Sequence, residues 1–422
     1  MYQKTKFKNG LTLITAPLKG TKAVTVLVLV RVGSRYETKE INGVSHFVEH
    51  LVFKGTKKRP TSLDITKELD SVGAEFNAFT AKDHTGFYIK AAAEEIELAF
   101  DVLSDMLFNP IFDQKEIDKE RGVLIEEINM YEDNPLIYIQ GLFENAVFGN
   151  SSLGQLIFGP KSVVKNISRN KIISYKNKFY QPKNISVAVA GNFNKKQVIN
   201  LTNKYFNIPA KKSDTVNFAK FKNLQHQPKI NFFFKKTEQI QSCLGFPAYS
   251  GFDKRLYPLS LLAVILGGNM SSRLFHTVRE KHGLAYYIKC DVITYQDTGA
   301  FVVQAGLDKK RIKKAITLIL SELKRVKDQG VTDKELLAAK EFLKGKLVLA
   351  LEDSEAIADW YGKQYLLLNK TETPSEQLKK LFAVKKSQLK KVASELFKKE
   401  KINLVLIGPS QDKKELLSLL KF

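Results

Sequence analysis

The sequence contains one pattern twice, and this repetition constrains the fold more than any other feature. Residues 183–198, KNISVAVAGNFNKKQV, join an apolar strand to a glycine and then to the lysine-rich start of a helix, and residues 402–416, INLVLIGPSQDKKEL, repeat that order. Residues 112–120 and 331–340 resemble each other at a similar offset. Because a chain of 422 residues is too long for one ordinary core, the repetition predicts two structurally similar α/β domains.

A polar stretch between the two copies indicates the domain boundary. Residues 211–229, KKSDTVNFAKFKNLQHQPK, show neither helical nor strand periodicity. We therefore expect a first domain over 1–212, a linker over 213–228 and a second domain over 229–422. Apolar and alternating strands interspersed with amphipathic helices predict the α+β class.

The chain is strongly basic, with a formal net charge of +23. Such an excess can serve nucleic acid, a membrane surface or acidic substrates. Lysine runs such as KKSQLKKVASELFKKEK are more typical of solvated helix faces, and no nucleic-acid motif has the required spacing. We expect no nucleic-acid partner, although a basic protein of nucleic acid or membrane surfaces remains an alternative.

Three further features bear on the compartment. The longest early apolar run, AVTVLVLVRVG, is too short to span a bilayer and predicts a buried strand. The only cysteines, Cys243 and Cys290, exclude a disulfide framework and fit a reducing environment. The first residues show no secretory signal, so a cytoplasmic location is expected.

Histidine is scarce, yet two of the six histidines stand four residues apart in HFVEH. Positions i and i+4 of a helix share one face, so His46 and His50 can direct both imidazoles at one metal ion. Glu49 projects near the same face without being required as a ligand. The pattern H-x-x-E-H is that of the inverzincins. The alternative is two helix-face histidines satisfied by hydrogen bonds.

A catalytic zinc ion needs three protein ligands and one open position. The predicted helix DKERGVLIEEINM offers Glu120, Glu126 and Glu127. Glu120 and Glu127 lie about two turns apart and so share a face. The apolar and aromatic residues of that face predict that it is buried: Val123, Leu124 and Tyr131. A buried glutamate usually has a charged or metal partner, whereas Glu126 points elsewhere and is expected at the surface.

These motifs resemble the pitrilysin/insulinase family of zinc metallopeptidases, which includes the mitochondrial processing peptidases. That family's pattern is HxxEH, a glutamate ligand about 76 residues later, and a second glutamate seven residues before that ligand, as in this chain. Longer matching stretches are GSRYE (33–37), HFVEHLVFKGT (46–56), GAEFNAFT (73–80), EEINMYEDNP (126–135) and LGQLIFGP (153–160).

The resemblance implies a fold and a set of ligands. Each domain would be an α/β sandwich of mostly antiparallel sheet flanked by helices, and the chain would be half of a clamshell peptidase. His46, His50 and Glu127 would bind one Zn2+ per chain. Glu49 would be the general base, and Glu120 would support the site from behind the ligands.

The second half carries REKHGLAYY, which resembles the family's R-x-x-x-G-L-x-Y form. The resemblance implies that Arg279 holds the substrate backbone and that Tyr286 donates to the developing oxyanion. The alternative is that Arg279 caps a helix ending near Gly283 and that Tyr286 is an ordinary strand aromatic. The positions that align with HFVEH in the second half read AVILGG and predict no second metal site.

The expected function is that of a zinc-dependent endopeptidase acting on extended or unfolded peptides. The resemblance implies that substrate adds as a strand beside Asn77, Ala78 and Phe79. It also implies a homodimer, in which Arg279 and Tyr286 of one subunit complete the zinc site of the other. The alternative within the family is a non-catalytic or partner-dependent subunit.

Overall fold

The computed structural model describes residues 2–209, 217–409 and 411–421. Its strands are β1 Gln3–Lys6, β2 Thr12–Pro17, β3 Ala23–Val30, β4 Glu75–Thr80, β5 Thr85–Ala92, β6 Ile185–Gly191, β7 Lys229–Phe234, β8 Gln239–Ala248, β9 Ala285–Thr294, β10 Gly299–Asp308 and β11 Asn403–Gly408.

The helices are α1 Val44–Leu51, α2 Ser62–Asp70, α3 Ile96–Phe108, α4 Gln114–Asp133, α5 Pro135–Phe148, α6 Lys161–Asn166, α7 Arg169–Phe179, α8 Lys195–Tyr205, α9 Leu256–Ala263, α10 Ile312–Gln329, α11 Asp333–Ala350, α12 Ser354–Leu368, α13 Pro374–Phe382, α14 Lys386–Leu396 and α15 Lys413–Leu419. Two π-helical segments, Val264–Gly268 and Phe275–Lys281, follow α9. Within the described ranges, no helix combines the length and the apolar character that crossing a membrane requires.

The chain divides into two compact units that are not contiguous halves. The first comprises Met1–Asn129, Gln155–Ala219 and Val348–Thr373, and the second comprises Met130–Gly154, Lys220–Leu347 and Pro374–Phe422. Helix α5 thus belongs to the second unit, and α12 belongs to the first. The boundaries 1–212 and 229–422 stay a prediction. Of the predicted linker, 213–216 lies outside the described residues, and 217–228 is irregular chain.

Each unit contains one sheet, and the five strands of the second sheet follow the same order as five of the six strands of the first, which has β1 as an additional edge strand. The first has the order β1-β2-β6-β3-β5-β4, and the second has the order β7-β11-β8-β10-β9. In each sheet the late strand, β6 or β11, runs parallel to one neighbour and antiparallel to the other. These two strands are the ones that carry the repeated sequence pattern. The predicted α+β fold of two similar domains is confirmed, with mixed sheets that are mostly antiparallel.

Strand β3 forms the centre of the first unit because both of its faces are buried. Val26 and Val28 pack into a core with α1 and α3, whereas Leu27 and Leu29 pack on the opposite face with α12. This double burial explains the near-continuous apolar run that predicted a buried strand. In the second unit, α9, α10 and α14 pack on one face of the sheet and α5 packs on the other.

Helix α1 begins at a glycine that no other residue can replace without strain. Gly43 has φ of 99°, and a Cβ atom there would stand 2.6 Å from the carbonyl oxygen of Phe158. The buried carboxylate of Glu37 accepts hydrogen bonds from the backbone N–H groups of Gly43 at 2.7 Å and Ser45 at 2.7 Å, and from the amide of Asn42 at 2.8 Å. A negative group at the helix N-terminus satisfies otherwise unpaired donors and favours the helix dipole.

Helix α12 lies close to the sheet because residue 362 is glycine. A Cβ atom on Gly362 would stand 2.9 Å from Cδ1 of Leu29 and 3.0 Å from Cβ of Ala188. In contrast, a Cβ atom on Gly345 in α11 would meet nothing within 4 Å. Close packing therefore requires glycine at position 362 but not at position 345, so the two helix glycines can be compared by substitution.

Replacing Glu37 by glutamine is expected to destabilise the first unit by about 1–3 kcal/mol. The amide nitrogen of the glutamine would face N–H groups that now donate hydrogen bonds to a carboxylate oxygen. The measurement is urea denaturation followed by circular dichroism. Glu40→Gln, on an exposed residue of the same loop, is the control and should change the unfolding free energy by less than about 0.5 kcal/mol. Equal effects of the two changes would contradict the role given to Glu37.

Gly362→Val is expected to lower the unfolding free energy by about 1–3 kcal/mol, because the added atoms overpack the contact between α12 and β3. Gly345→Val should stay within about 0.5 kcal/mol of the parent protein. Thermal unfolding of both variants measures the difference. A Gly362→Val protein as stable as the Gly345→Val protein would show that α12 does not pack closely on the sheet.

Candidate metal centre

Helix α1 presents three polar side chains beside an apolar face. Phe47, Val48 and Leu51 are buried in the core of the first unit. The turn-to-turn spacing of the helix then places His46, Glu49 and His50 together, and their potential ligand atoms all lie within 4.8 Å of one another. The predicted helix and the predicted convergence of the two histidines are both present.

Helix α4 brings a carboxylate to the same point. Oε2 of Glu127 lies 3.5 Å from Nε2 of His46 and 3.3 Å from Nε2 of His50, and the two Nε2 atoms are 3.3 Å apart. Three potential ligand atoms from two helices therefore form a nearly equilateral triangle. Both histidines direct the same ring nitrogen into it.

The dimensions of this triangle fit a tetrahedral zinc ion. Ligand atoms bound at about 2.0–2.1 Å to such an ion stand about 3.3 Å from one another. The measured separations of 3.3, 3.3 and 3.5 Å agree with that geometry without movement of the backbone. Two imidazoles and one carboxylate are also a donor set that zinc accepts in catalytic sites.

Glu120 lies behind the triangle and orients one ligand. Its Oε1 is 2.8 Å from Nδ1 of His50, and its Oε2 is 2.8 Å from Nζ of Lys54. A hydrogen bond at Nδ1 fixes the ring and leaves Nε2 of His50 free to bind a metal. Glu120 is 3 % exposed, so the ion pair with Lys54 also compensates a buried charge.

Glu49 is the second carboxylate near the triangle, and it has a different partner. Its Oε2 accepts a hydrogen bond of 2.6 Å from the hydroxyl of Thr80 on β4. Burial raises the pKa of Glu49 above its ordinary value, and the bond from Thr80 offsets part of this rise. A carboxylate held in this way beside a metal position, with a raised pKa, is suited to accept a proton.

The negative charge of the site favours the binding of a cation. Burial lowers the pKa of His46 to about 4, so that its imidazole is neutral. Burial also disfavours the charged form of His50, but hydrogen bonds to Glu120 and Glu127 outweigh it and raise the pKa of His50 to about 9. In the absence of a metal, a proton on His50 thus balances part of the surrounding negative charge.

One expectation about α4 is wrong. Val123 was expected on the buried face but is 50 % exposed, because the buried stripe of the helix runs through Ile117, Leu124 and Ile128 instead. The side chain of Glu127 is about one-fifth exposed. Glu126 is exposed, as predicted.

The three residues predicted to bind substrate lie on β4, which is an edge strand of the first sheet. The N–H group of Ala78 donates to the side-chain oxygen of Asn77 at 2.8 Å, which caps a group that an edge strand otherwise exposes. Ala78 packs with the core on the α1 side, whereas Phe79 packs with the cluster on the α12 side. Phe79 thus points away from the metal centre.

Arg279 and Tyr286 lie together in the second unit. The guanidinium carbon of Arg279 is 5.8 Å from the ring centre of Tyr286 and 4.6 Å from that of Phe275. Tyr286 is 73 % exposed. The backbone carbonyl of Arg279 accepts from the N–H group of Gly283 at 2.8 Å, in the last turn of the segment Phe275–Lys281. The guanidinium lies beside the exposed ring of Tyr286.

No second cluster of metal-binding side chains occurs among the residues that the structure describes in the second unit. The AVILGG stretch forms part of α9 and of the π-helical segment Val264–Gly268, and its apolar side chains are buried. The stretch therefore contributes core side chains to the second unit.

Three contributors to the site received no role from the sequence: Glu37, Lys54 and Thr80. Each lies inside a stretch that resembles the family's sequences. That resemblance indicates that the position matters, but it does not identify the residue that the side chain contacts. Lys54 follows His50 by one helical turn, which is a weak signal for a shared contact with Glu120. Thr80 contacts Glu49 from the edge strand, and Glu37 contacts the start of α1 from a loop. No local spacing in the sequence reveals either contact.

Comparison with known proteins agrees with these observations. Residues 13–161 match the family model "Insulinase (Peptidase family M16)", and residues 166–343 match "Peptidase M16 inactive domain". An uncharacterized zinc protease of Bacillus subtilis is 36% identical over 97% of this chain and 99% of its own length. An uncharacterized zinc protease of Streptomyces coelicolor is 34% identical over 97% of this chain and 90% of its own length.

A solved structure extends the comparison to the fold. A protease from Helicobacter pylori superposes with a TM-score of 0.91 at 25% sequence identity, covering 97% of this chain and 99% of that one. At this coverage the likeness extends over both units. The chain therefore belongs to the insulinase (M16) peptidase family.

Proposed function

We propose that the protein is a zinc-dependent endopeptidase that hydrolyses extended or unfolded peptides. The observation that carries this proposal is the triangle of His46 Nε2, His50 Nε2 and Glu127 Oε2, with Glu49 beside it and held by Thr80. The relatives named as zinc proteases support the choice of metal. One ion per chain accounts for the single cluster of this kind in the described residues.

His46, His50 and Glu127 would hold the ion, and Glu120 would orient His50 through Nδ1. Zinc, when bound, supplies the Lewis acidity that makes water a nucleophile near neutral pH. Glu49 is then assigned as the base rather than a ligand, because Thr80 already occupies one of its oxygens and Glu127 completes the triangle without it.

Glu49 performs the proton transfers of the proposed reaction. Its carboxylate takes a proton from the attacking water and then donates that proton to the nitrogen that leaves the cleaved amide. The raised pKa of Glu49 brings the carboxyl closer to the value at which both transfers are efficient. Thr80 keeps the side chain oriented between the two steps.

Substrate is proposed to add to the open edge of β4, beside Asn77, Ala78 and Phe79. Main-chain pairing along an edge strand tolerates many sequences but requires an extended peptide. The bond between Asn77 and the Ala78 N–H would be exchanged for a bond to the peptide. Selection for unfolded substrates follows from this mode of binding.

Arg279 and Tyr286 are proposed to act across a homodimer, on the zinc site of the other subunit. Tyr286 would donate to the oxyanion, and Arg279 would hold the substrate backbone. The exposure of Tyr286 agrees with a role outside its own core. The alternative is a subunit that lacks catalysis or needs a non-identical partner.

A cytoplasmic location is proposed because Cys243 and Cys290 are both free thiols and buried.

The direct test of the reaction is cleavage of a mixture of unfolded peptides, read by mass spectrometry. Glu49→Gln is expected to reduce the rate about 10²–10⁴-fold, because the proton acceptor is lost while the ligands remain. Removal of metal by a chelator should abolish cleavage, and zinc should restore it. Glu126→Gln, on an exposed residue of α4, should retain full activity. Equal cleavage by the Glu49→Gln protein would contradict the assignment of the base.

The composite site is tested by mixing two inactive variants, Glu49→Gln and Tyr286→Phe. After subunit exchange at equal concentrations, each heterodimer contains one site with both groups intact, so about a quarter of parental activity should return. A mixture that stays inactive despite exchange, or full activity in a monomeric parent protein, would contradict the dimer. No activity in the zinc-loaded parent protein would favour the partner-dependent alternative.

A further inference from the structure

The first unit contains a cavity on the side of the sheet that faces away from the metal centre. Its volume is about 400 Å3, and it lies between α12 and the strands β3, β4 and β5. Phe79 and Tyr88 supply its aromatic wall, and Asp353, Glu355 and Asp359 supply three carboxylates. The volume is within the range of pockets that bind small ligands, about 300–1,000 Å3. None of these residues takes part in the proposed zinc chemistry, and Phe79 alone belongs to the edge strand proposed to bind substrate.

His84 lines this cavity, and its Nδ1 atom is buried. The residue is 5 % exposed, and its Nδ1 has no hydrogen-bond partner in the described part of the chain. Burial lowers the pKa of His84 to about 3, so the imidazole is neutral and can accept a hydrogen bond. A buried polar atom without a partner is costly, so a donor that reaches Nδ1 would be stabilised there.

The carboxylates differ in what they already bind. Asp353 caps α12 through the N–H group of Glu355 at 2.7 Å and contacts Lys90 at 3.2 Å. Glu355 shares a hydrogen bond with Tyr88. Asp359 has neither a hydrogen bond nor an ion pair among the described residues, and burial raises its pKa. Lys363, one turn further along α12, is exposed and interacts electrostatically with Asp359. With Lys90 at Asp353, two ammonium groups therefore accompany three carboxylates.

We propose that this cavity binds a guanidinium or ammonium group on an apolar stem, such as an arginine side chain. The cation would pair with Asp359 and donate to Nδ1 of His84, and the stem would lie between Phe79 and Tyr88. A guanidinium matches this arrangement best, because it offers several donors in a fixed plane and stacks on aromatic rings.

The position of the cavity indicates how a peptide would deliver such a group. Alternate residues of a strand point to opposite faces, so a peptide paired with β4 sends every second side chain to the face that Phe79 occupies. The ring of Phe79 lies against Gly86 of β5, so closely that a Cβ atom on Gly86 would stand 2.3 Å from it. This peptide form of the inference rests on the proposed peptidase function. Binding of a free small cation does not.

The binding test uses arginine amide as the cation and citrulline amide as its neutral isostere, with calorimetry and thermal shift on the full chain. Arginine amide is expected to bind at least tenfold more tightly than citrulline amide, and Asp359→Asn should remove that difference. Glu352→Gln, an exposed carboxylate two residues before α12, is the matched control and should preserve it. A second variant, Ala356→Phe, fills the cavity and should abolish binding, with circular dichroism checking that the fold is kept. Equal binding of both amides, or an unchanged preference in Asp359→Asn, would overturn the proposal.

The peptide test compares cleavage of extended peptides that carry arginine or citrulline at successive positions. A preference for arginine in kcat/KM is expected at positions of one alternation and not of the other, and the ratio should fall towards one in Asp359→Asn. Preferential binding of arginine amide without a preference in peptides would support the cavity as a site for a free small cation. If the chain cleaves nothing, the amide titrations still decide the cavity, so the two failures are distinguishable. The absence of both amide binding and an arginine preference would refute the cation site.

Discussion

The contact between α1 and α4 governs the structure of the site. Two imidazoles from α1 meet two carboxylates from α4, and each of these groups is expensive to bury alone. Glu120 pairs with His50 and Lys54, and Glu127 contacts both Nε2 atoms, so the helices are joined through polar groups at this point. The arrangement remains short of positive charge unless a proton or a metal ion lies within it. Metal binding and the packing of these two helices are therefore expected to be coupled.

The surrounding fold serves to hold α1 in place. Glu37 and Gly43 determine where the helix begins, Phe47 and Val48 attach it to the core, and Thr80 reaches Glu49 from the edge strand. The same edge strand separates two different environments. Its α1 side carries the proposed metal ligands and the proposed base, and its α12 side carries an acidic cavity within a chain whose net charge is +23. A peptide on this edge would meet both environments through alternate side chains.

Local periodicity predicted the parts of the site that lie on one helix. His46, Glu49 and His50 follow from the i, i+4 relation, and Glu120 and Glu127 follow from two turns of α4. The repeated strand pattern predicted the equivalent positions of β6 and β11. Contacts between distant segments left no such signal: the exchange of α5 and α12 between the compact units, the bond from Thr80 to Glu49, and the approach of α12 at Gly362. Val123 was misjudged because the burial of its face was inferred from apolar character. An exposed valine has the same character as a buried one.

The central claim is that Glu127, and not Glu49, completes the metal site formed by the two histidines. Diffraction data collected at the zinc absorption edge from crystals of the zinc-loaded protein test this most directly. The account predicts one anomalous peak per chain, within bonding distance of His46 Nε2, His50 Nε2 and Glu127 Oε2, with Glu49 outside that distance and still bonded to Thr80. A peak bound by Glu49 in place of Glu127, or no peak between the two helices, would contradict it.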